Sequence, residues 1–295
     1  MASKPVMLER TRSVVADRLP PLRRTEWLFA LYFSYVALSG GSHFALCLLL
    51  IGALFAMAWA DSRSSGRFWA VVRYWAPVIG VLITYWAVDW VPHRPSDGSL
   101  EQVLIGWDRK LLDTAGLRAA IESSPAIPVV LDLAYLLLYA VPPLFIACFY
   151  FRRERRRLDE FLFSFLSGVL ITCALLPHFP SQTPRAAFPG QDLPAVDTLL
   201  RRMTLWILSR GDIHASVFPS NHVTIAFSAA LALLGAGPGY RRVAWILFAL
   251  GVLILISTIY ARYHYAADGL AGMAVSAIAF GLTAAIHALP ARRRA

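Results

Sequence analysis

Long apolar stretches separated by short basic segments constrain this sequence more than any other feature. A helix that crosses a bilayer needs about 20 mostly apolar residues, and we interpret eight stretches of the chain as such spans. They are Trp27–Ser39, Phe44–Ala60, Phe68–Val91, Ile127–Phe151, Phe161–Pro177, Phe218–Gly235, Val243–Tyr260 and Tyr265–Leu289. The sequence therefore predicts an all-α fold, a polytopic membrane helix bundle of about eight transmembrane helices.

The positions of Lys and Arg predict how these spans are oriented, because short cytoplasmic segments carry an excess of positive charge. With a cytoplasmic N-terminus, 18 of the 28 Lys and Arg residues lie in the two tails and in three short inner loops. The segment before Arg24 is polar and does not resemble a cleavable signal peptide. We therefore expect an integral membrane protein with both termini cytoplasmic, in a bacterial inner membrane.

The net charge of +10 would suggest nucleic-acid binding in a soluble protein. Here the cations form short clusters between apolar spans, so we expect no nucleic-acid partner. The three cysteines, Cys47, Cys148 and Cys173, lie inside apolar stretches without metal-ligand spacing and are predicted to be inert thiols. We expect neither a metal ion nor another cofactor.

Three polar clusters fall on the outer side of the membrane in this topology. The first runs from His178 to Arg185 (His-Phe-Pro-Ser-Gln-Thr-Pro-Arg). The second, residues 218–222, reads Phe-Pro-Ser-Asn-His, and the third, residues 262–268, reads Arg-Tyr-His-Tyr-Ala-Ala-Asp. Their occurrence at one membrane face predicts a functional site there.

The residue types in these clusters favour phosphoryl chemistry. His264 and Asp268 are four residues apart, so on a helix they share a face. A carboxylate bonded to one imidazole nitrogen fixes the tautomer and frees the other nitrogen as a nucleophile or base. Arg262 can offer a fork of donors to a phosphate. Ser220 can cap the following helix, whose first N–H groups favour an anion, and His222 lies in the first turn, where it can protonate a leaving group.

These clusters resemble the signature motifs of the type-2 phosphatidic acid phosphatase superfamily. Pro219-Ser220-Asn221-His222 resembles the Pro-Ser-Gly-His motif, and His264-x-x-x-Asp268 matches the end of the third motif. Phe-Pro-Ser-x-His together with Arg-Tyr-His-Tyr-x-x-Asp is most similar to the branch that contains inositol phosphorylceramide synthases. The resemblance implies a six-helix core in residues 67–295, preceded in residues 1–66 by a cytoplasmic tail and two additional transmembrane helices.

The chain departs from the family pattern at several positions. His178 stands where the first motif has Lys before the Arg that corresponds to Arg185, and Ala186 replaces the Pro that follows. The Arg that usually begins the third motif is missing, so Arg262 is expected to take over its phosphate contact. Asn221 replaces the Gly of the second motif. By this resemblance, the phosphate-binding residues are Arg185, Arg262, Ser220, Asn221 and His178, and the catalytic residues are His264, Asp268 and His222.

The sequence therefore predicts a metal-independent lipid phosphatase or phosphotransferase that acts on a lipid phosphate or phosphodiester at the extracytoplasmic face. His264 attacks phosphorus and forms a phosphohistidine, Asp268 supports the imidazolium, and His222 protonates the leaving oxygen. Its partners are a lipid phosphate substrate and the bilayer. The acceptor is water for a phosphatase and a sugar or inositol hydroxyl for a phosphotransferase, and the motifs leave both open. The alternatives are a transporter or lipid scramblase, for which the sequence lacks the expected internal symmetry, and a non-catalytic scaffold.

Other polar residues have two interpretations each. Asp89 and Asp132 are carboxylates within apolar spans, so they are either functional or paired between helices. The stretch Leu100–Ala120 is amphipathic and is predicted to lie along the membrane interface as a helix. Three arginines either bind an anionic head group or face solvent: Arg201, Arg202 and Arg210.

Overall fold

The structure is a computed structural model that describes residues 22–64 and 66–292, with the backbone alone at 288–292. The regular structure in these ranges is helical throughout. The predicted cytoplasmic tail falls mainly in residues 1–21 and lies outside the described residues. In chain order the helices are α1 (Arg24–Leu38), α2 (Phe44–Arg63), α3 (Phe68–Trp86), α4 (Ser99–Arg109), α5 (Leu117–Glu122), α6 (Ala126–Leu137), α7 (Val141–Phe151), α8 (Arg155–Leu175), α9 (Pro184–Ala187), α10 (Leu199–Gly211), α11 (Asn221–Gly235), α12 (Arg241–Tyr260) and α13 (Ala266–Arg292).

Each of the eight predicted spans is largely helical, which confirms the all-α membrane fold. Within the described ranges, six helical segments are long and apolar enough to cross a membrane: Phe44–Arg63, Phe68–Trp90, Ala126–Phe151, Arg155–His178, Pro238–Tyr260 and Ala266–His287. The remaining two, α1 and α11, have 15 residues each. At 1.5 Å per residue they measure about 22 Å, against a hydrocarbon core of about 30 Å. The count of eight spans therefore stays a prediction.

The span Ala126–Phe151 consists of two helices, α6 and α7, joined by the 3-10 turn Leu138–Ala140. The turn lies just before Pro142 and Pro143, which have no backbone N–H to donate to it. The α-helical hydrogen bonding of α6 therefore ends here and gives way to the 3-10 turn.

Helix α11 lies in the middle of the bundle and packs against α8, α12 and α13. Small residues allow this close approach, as is usual between membrane helices. A Cβ added to Gly168 of α8 would lie 2.1 Å from Ser228 Oγ of α11, so this contact requires glycine. Hydroxyl groups also bond across the interfaces, from Thr172 to Thr224 (3.0 Å) and from Ser228 to Ser276 (3.1 Å).

A buried arginine joins the first three helices. Arg73 of α3 donates at 2.6 Å to Glu26 of α1 and at 2.6 Å to Asp61 of α2. A charge within an apolar span requires such partners. Tyr35 of α1 also donates to the carbonyl oxygen of Ala174 in α8 (3.1 Å). The first two helices are thus packed onto the rest of the bundle.

The amphipathic stretch Leu100–Ala120 forms α4, a π-helical turn at Lys110–Thr114 and most of α5, instead of one continuous helix. Gly116, with φ +76°, separates α5 from the turn. The buried face of α4 carries two carboxylates, Glu101 and Asp108, each 1% exposed. The exposed apolar stripe of this segment consists of Leu100, Val103, Trp107 and Leu111.

Candidate active site

His264 and Asp268 lie at the junction of α12 and α13. Helix α12 ends at Tyr260 and α13 begins at Ala266, so His264 lies in the connection and not on the helix that the four-residue spacing suggested. Asp268 Oδ2 is still 3.4 Å from His264 Nδ1, and it accepts a hydrogen bond from the N–H of Tyr265 (2.9 Å). One carboxylate thus contacts both the imidazole and the backbone at the start of α13.

The second cluster meets the third at the N-terminus of α11. Ser220 is the N-cap of this helix, as predicted, and its Oγ accepts from the N–H of Val223 (3.4 Å). The Ser220 N–H donates to the carbonyl oxygen of Asp268 (2.9 Å), which joins the two clusters directly. Asn221 is the first helical residue, so the helix starts later than the predicted span, and its Oδ1 has no hydrogen-bond partner among the described residues.

The two histidines face each other. His222 Nδ1 lies 3.4 Å from His264 Nε2. On its other side, His222 Nε2 lies 2.9 Å from the hydroxyl of Tyr135, whose ring stacks on the imidazole at 4.9 Å between centroids. Tyr135 is 1% exposed and belongs to α6. Sequence reasoning missed it, because a tyrosine within an apolar span has no local pattern that marks it.

A cavity of about 280 Å³ opens beside the histidine pair. Of the predicted site residues, Arg185, Asn221, His222 and His264 line it. Arg185 Nε donates to the carbonyl oxygen of Ala261 (2.8 Å), so the arginine of the first cluster is held against the third. The cavity therefore brings together Arg185, two imidazoles and the N-terminus of a helix, groups that suit a phosphate. Its lining also includes the carboxylate of Asp212, which accepts a hydrogen bond from the hydroxyl of Tyr85 (2.6 Å).

Three predicted phosphate contacts, Ser220, His178 and Arg262, do not belong to this lining. His178 is exposed, and its Nε2 lies 2.8 Å from the hydroxyl of Tyr35 on α1. Arg262 is 1% exposed, has a φ of +64°, and donates from Nη1 to Asp108 Oδ2 (3.0 Å). Nε and Nη2 of Arg262 have no hydrogen-bond partner within the described part of the chain. Arg262 is therefore held by α4, an element that the motif analysis did not connect with the site.

A second cavity, of about 330 Å³, meets the first at Asn221 and His222. Tyr85 and Leu208 also border both cavities. The rest of the second cavity is mainly apolar, with walls that include Val81, Leu82, Trp86, Pro142, Ile207 and Ile225. His222 therefore borders both cavities, and of the two only the first is also lined by Arg185 and His264.

Asp132 and Arg201 form a buried ion pair outside the cavity. Asp132 Oδ2 accepts from Arg201 Nη2 (3.1 Å) and from the hydroxyl of Thr198 (2.6 Å). Of the two interpretations of Asp132, a functional residue or a residue paired between helices, the structure therefore supports the second. The solvent-facing alternative for Arg201 is wrong, because Arg201 is 3% exposed and supplies the counter-charge that a carboxylate buried in an apolar span requires. Binding of an anionic head group by Arg201 stays a prediction.

The other residues left open are Asp89, Arg202 and Arg210. Asp89 accepts from the backbone N–H of His214 (2.9 Å). Arg202 forms an exposed pair with Asp197 (2.8 Å), and Arg210 is also exposed. Over residues 22–64 and 66–292, no three His, Cys, Asp or Glu side chains are grouped so as to hold a metal ion.

Fold and site define an all-helical membrane protein with a histidine pair, backed by a carboxylate, at the N-terminus of its central helix. The family model of the PAP2 superfamily matches residues 102–282, more than half of the chain. The protein belongs to the PAP2 superfamily. The resemblance to this superfamily is thereby confirmed, whereas the similarity to the inositol phosphorylceramide synthase branch stays a prediction.

One curated relative is a PA-phosphatase related-family protein of Dictyostelium discoideum. It is 32% identical over 127 residues, which make up 41% of this chain and 22% of the relative. The chain thus matches less than a quarter of that protein's length. No solved structure gives a significant match.

Proposed function

We propose that this protein is a lipid phosphatase or phosphotransferase that works through a phosphohistidine on His264 and requires no metal ion. One observation carries the proposal: His264 has Asp268 at Nδ1 and His222 at Nε2, both at 3.4 Å. When Asp268 accepts a hydrogen bond from the protonated Nδ1 of His264, the lone pair of Nε2 is directed away from the carboxylate. That nitrogen is the nucleophile of the proposed reaction.

In this reaction a bond forms between His264 Nε2 and phosphorus while the bond from phosphorus to the leaving oxygen breaks. His222 gives its Nδ1 proton to that oxygen and later accepts a proton from the acceptor hydroxyl. The acceptor oxygen then attacks the phosphohistidine and frees His264. Tyr135 supports this sequence by donating to His222 Nε2, because the remaining proton of a neutral imidazole is then on Nδ1.

Negative charge on the phosphoryl oxygens is met by Arg185 and by the N-terminus of α11. A helix N-terminus presents unpaired N–H groups and a partial positive charge. Ser220 and Asn221 belong to this end of the helix. Arg262 adds positive charge through the guanidinium that Asp108 holds, and in this proposal catalysis is mainly electrostatic stabilisation of charge in the transition state. In this proposal His178 contacts the phosphate only after its hydrogen bond with the hydroxyl of Tyr35 breaks.

The apolar cavity supports a lipid as the substrate. A phosphate in the first cavity and a hydrocarbon chain in the second would meet at His222, the residue that protonates the leaving oxygen. Burial of the chain adds affinity at about 25 cal/mol per Å² of apolar surface. This term depends on the area of the chain and not on its identity, so it does not select a particular lipid.

The cation distribution supports an extracytoplasmic site and cytoplasmic termini. A test uses the variants Gln182→Cys and Arg156→Cys, since both positions are exposed. An impermeant thiol reagent applied to intact cells should label position 182, and should label position 156 only after lysis. The reverse result would place the site at the cytoplasmic face. The background for both variants lacks Cys47, Cys148 and Cys173.

The decisive experiment incubates the purified protein with radiolabelled lipid phosphates, with and without inositol or a sugar. Release of phosphate identifies a phosphatase, and a labelled polyol phosphate identifies a phosphotransferase. His264→Ala should abolish both products. It should also abolish the radiolabel that the phosphohistidine leaves on the protein and that is stable in base. His43→Ala is the control, because His43 stacks on Trp90 (4.9 Å) in another part of the molecule. Turnover by His264→Ala close to that of the wild type would overturn the proposal.

A further inference from the structure

Helix α4 belongs to none of the three motif clusters, yet it bonds to two of the loops that form the site. Asp108 Oδ2 accepts from Arg262 Nη1 (3.0 Å). Asp108 Oδ1 accepts from the N–H of Ala266, the first residue of α13 (3.0 Å). One carboxylate therefore fixes both ends of the segment that carries His264.

The second carboxylate of α4 contacts the loop of the first cluster. Glu101 Oε1 accepts from the N–H of Gln182 (2.8 Å), three residues before Arg185, and from the hydroxyl of Ser96 (2.6 Å). Glu101 and Asp108 are seven residues apart, so they lie on one helix face, two turns from each other. The helix therefore contacts the Arg185 loop at one end and the His264 segment at the other.

The apolar residues between these carboxylates would already hold α4 in place. Leu104 and Ile105 are buried against Tyr265. A buried ion pair can often be replaced as a whole by apolar side chains of similar volume without loss of stability, whereas removal of one partner leaves the other charge buried and unpaired. Packing alone therefore does not account for carboxylates at both positions, whereas their hydrogen bonds to the Arg185 loop and the His264 segment do.

We propose that Glu101 and Asp108 are positioning residues: Asp108 orients Arg262 and the start of α13, and Glu101 orients the loop that carries Arg185. This inference rests on the proposed function, since it assigns α4 to the same reaction. The exposed stripe of α4 faces outward, so the helix can lie at the membrane interface while its inner face holds the site.

The first test compares Asp108→Asn with Asp113→Asn. Asp113 is the matched control, because it pairs with Arg118 (2.7 Å) just beyond α4 but is exposed. Loss of a hydrogen bond to a charged group predicts a fall in kcat, and in affinity for orthovanadate, of about tenfold or more in Asp108→Asn. Asp113→Asn should stay within about twofold of the wild type, as is usual for surface substitutions.

The second test asks whether Asp108 and Arg262 act as a unit. If Asp108 acts through Arg262, Asp108→Asn should change kcat less than about twofold in an Arg262→Gln background. Glu101→Gln keeps an acceptor oxygen for Gln182 and should retain most activity, whereas Glu101→Leu should not. An undiminished effect of Asp108→Asn in the Arg262→Gln background, or full activity of Glu101→Leu, would overturn the proposal.

Hydrogen exchange separates this inference from the proposed function. Exchange at the Ala266 amide should become faster in Asp108→Asn, and exchange at the Gln182 amide faster in Glu101→Leu. If the wild type turned over no lipid phosphate, the proposed function would fail, while faster exchange would still show that α4 holds the loops. Unchanged exchange at both amides would refute the role of α4 whatever the activity.

Discussion

Gly272 of α13 packs against the first turn of α11, and its replacement by Ala should disturb both stability and the site. A Cβ at this position would lie 2.6 Å from the carbonyl oxygen of Ser220 and 3.0 Å from Thr224 Oγ1. Ordinary contacts begin at 3.4 Å, so relief requires a shift of about 0.8 Å. Since the closest atom is backbone, α11 or α13 must move as a unit, and His222 lies in the turn that is displaced.

The size of the effect follows from two opposing contributions. Overpacking costs about 1–3 kcal/mol, whereas Gly→Ala in a helix interior gains about 1 kcal/mol. Gly281→Ala, also in α13, isolates the gain, because a Cβ there meets nothing within 4 Å. Gly272→Ala should therefore be about 1–3 kcal/mol less stable than Gly281→Ala. A shift approaching 1 Å at the site predicts a fall in turnover of about 10- to 100-fold.

Unfolding of the two purified variants in detergent, followed by loss of helical signal, measures the difference in stability. Turnover of a labelled lipid phosphate, measured on the same preparations, gives the effect on the site. If Gly272→Ala matched Gly281→Ala in both measurements, the close packing of α13 on the start of α11 would be refuted.

Three further predictions concern the chemistry. Asp268→Asn should lose most turnover but keep a trace, because the nucleophile remains while its orientation is disturbed; full activity would contradict the assigned role. Turnover should survive EDTA and be inhibited by orthovanadate, which imitates the phosphoryl transition state; activity restored to the EDTA-treated enzyme by one divalent ion would contradict the metal-free mechanism. The pKa of Asp108 is raised to about 6, mainly by burial and also by the nearby Asp268, against the lowering effects of the Ala266 N–H and of Arg262. Asp108 is thus charged above that pH and loses its ion pair with Arg262 as the pH falls through about 6. Turnover should therefore decrease as the pH falls through about 6. An equal decrease in Asp108→Asn would show that the titration of Asp108 is not its cause.

The sequence alone was sufficient for the positions of the long apolar helices and for the identity of the motifs. Runs of apolar residues and the Ser220 cap are local features, and a helix follows from local hydrogen bonds and local side-chain propensities. The spacing of His264 and Asp268 also predicted that they lie close together. The geometry of the contact nevertheless differs from the prediction, because His264 lies in the turn before α13 and not on the same helix as Asp268.

Only the tertiary structure decided which distant residues complete the site. Tyr135 lies 87 positions from His222, and Asp108 lies 154 positions from Arg262. The sequence periodicity predicts which side chains share a face of a helix, but it does not say what that face will meet. The rotation and depth of each helix depend on packing against all its neighbours, so α4 could be recognised as amphipathic while the partners of its two buried carboxylates could not.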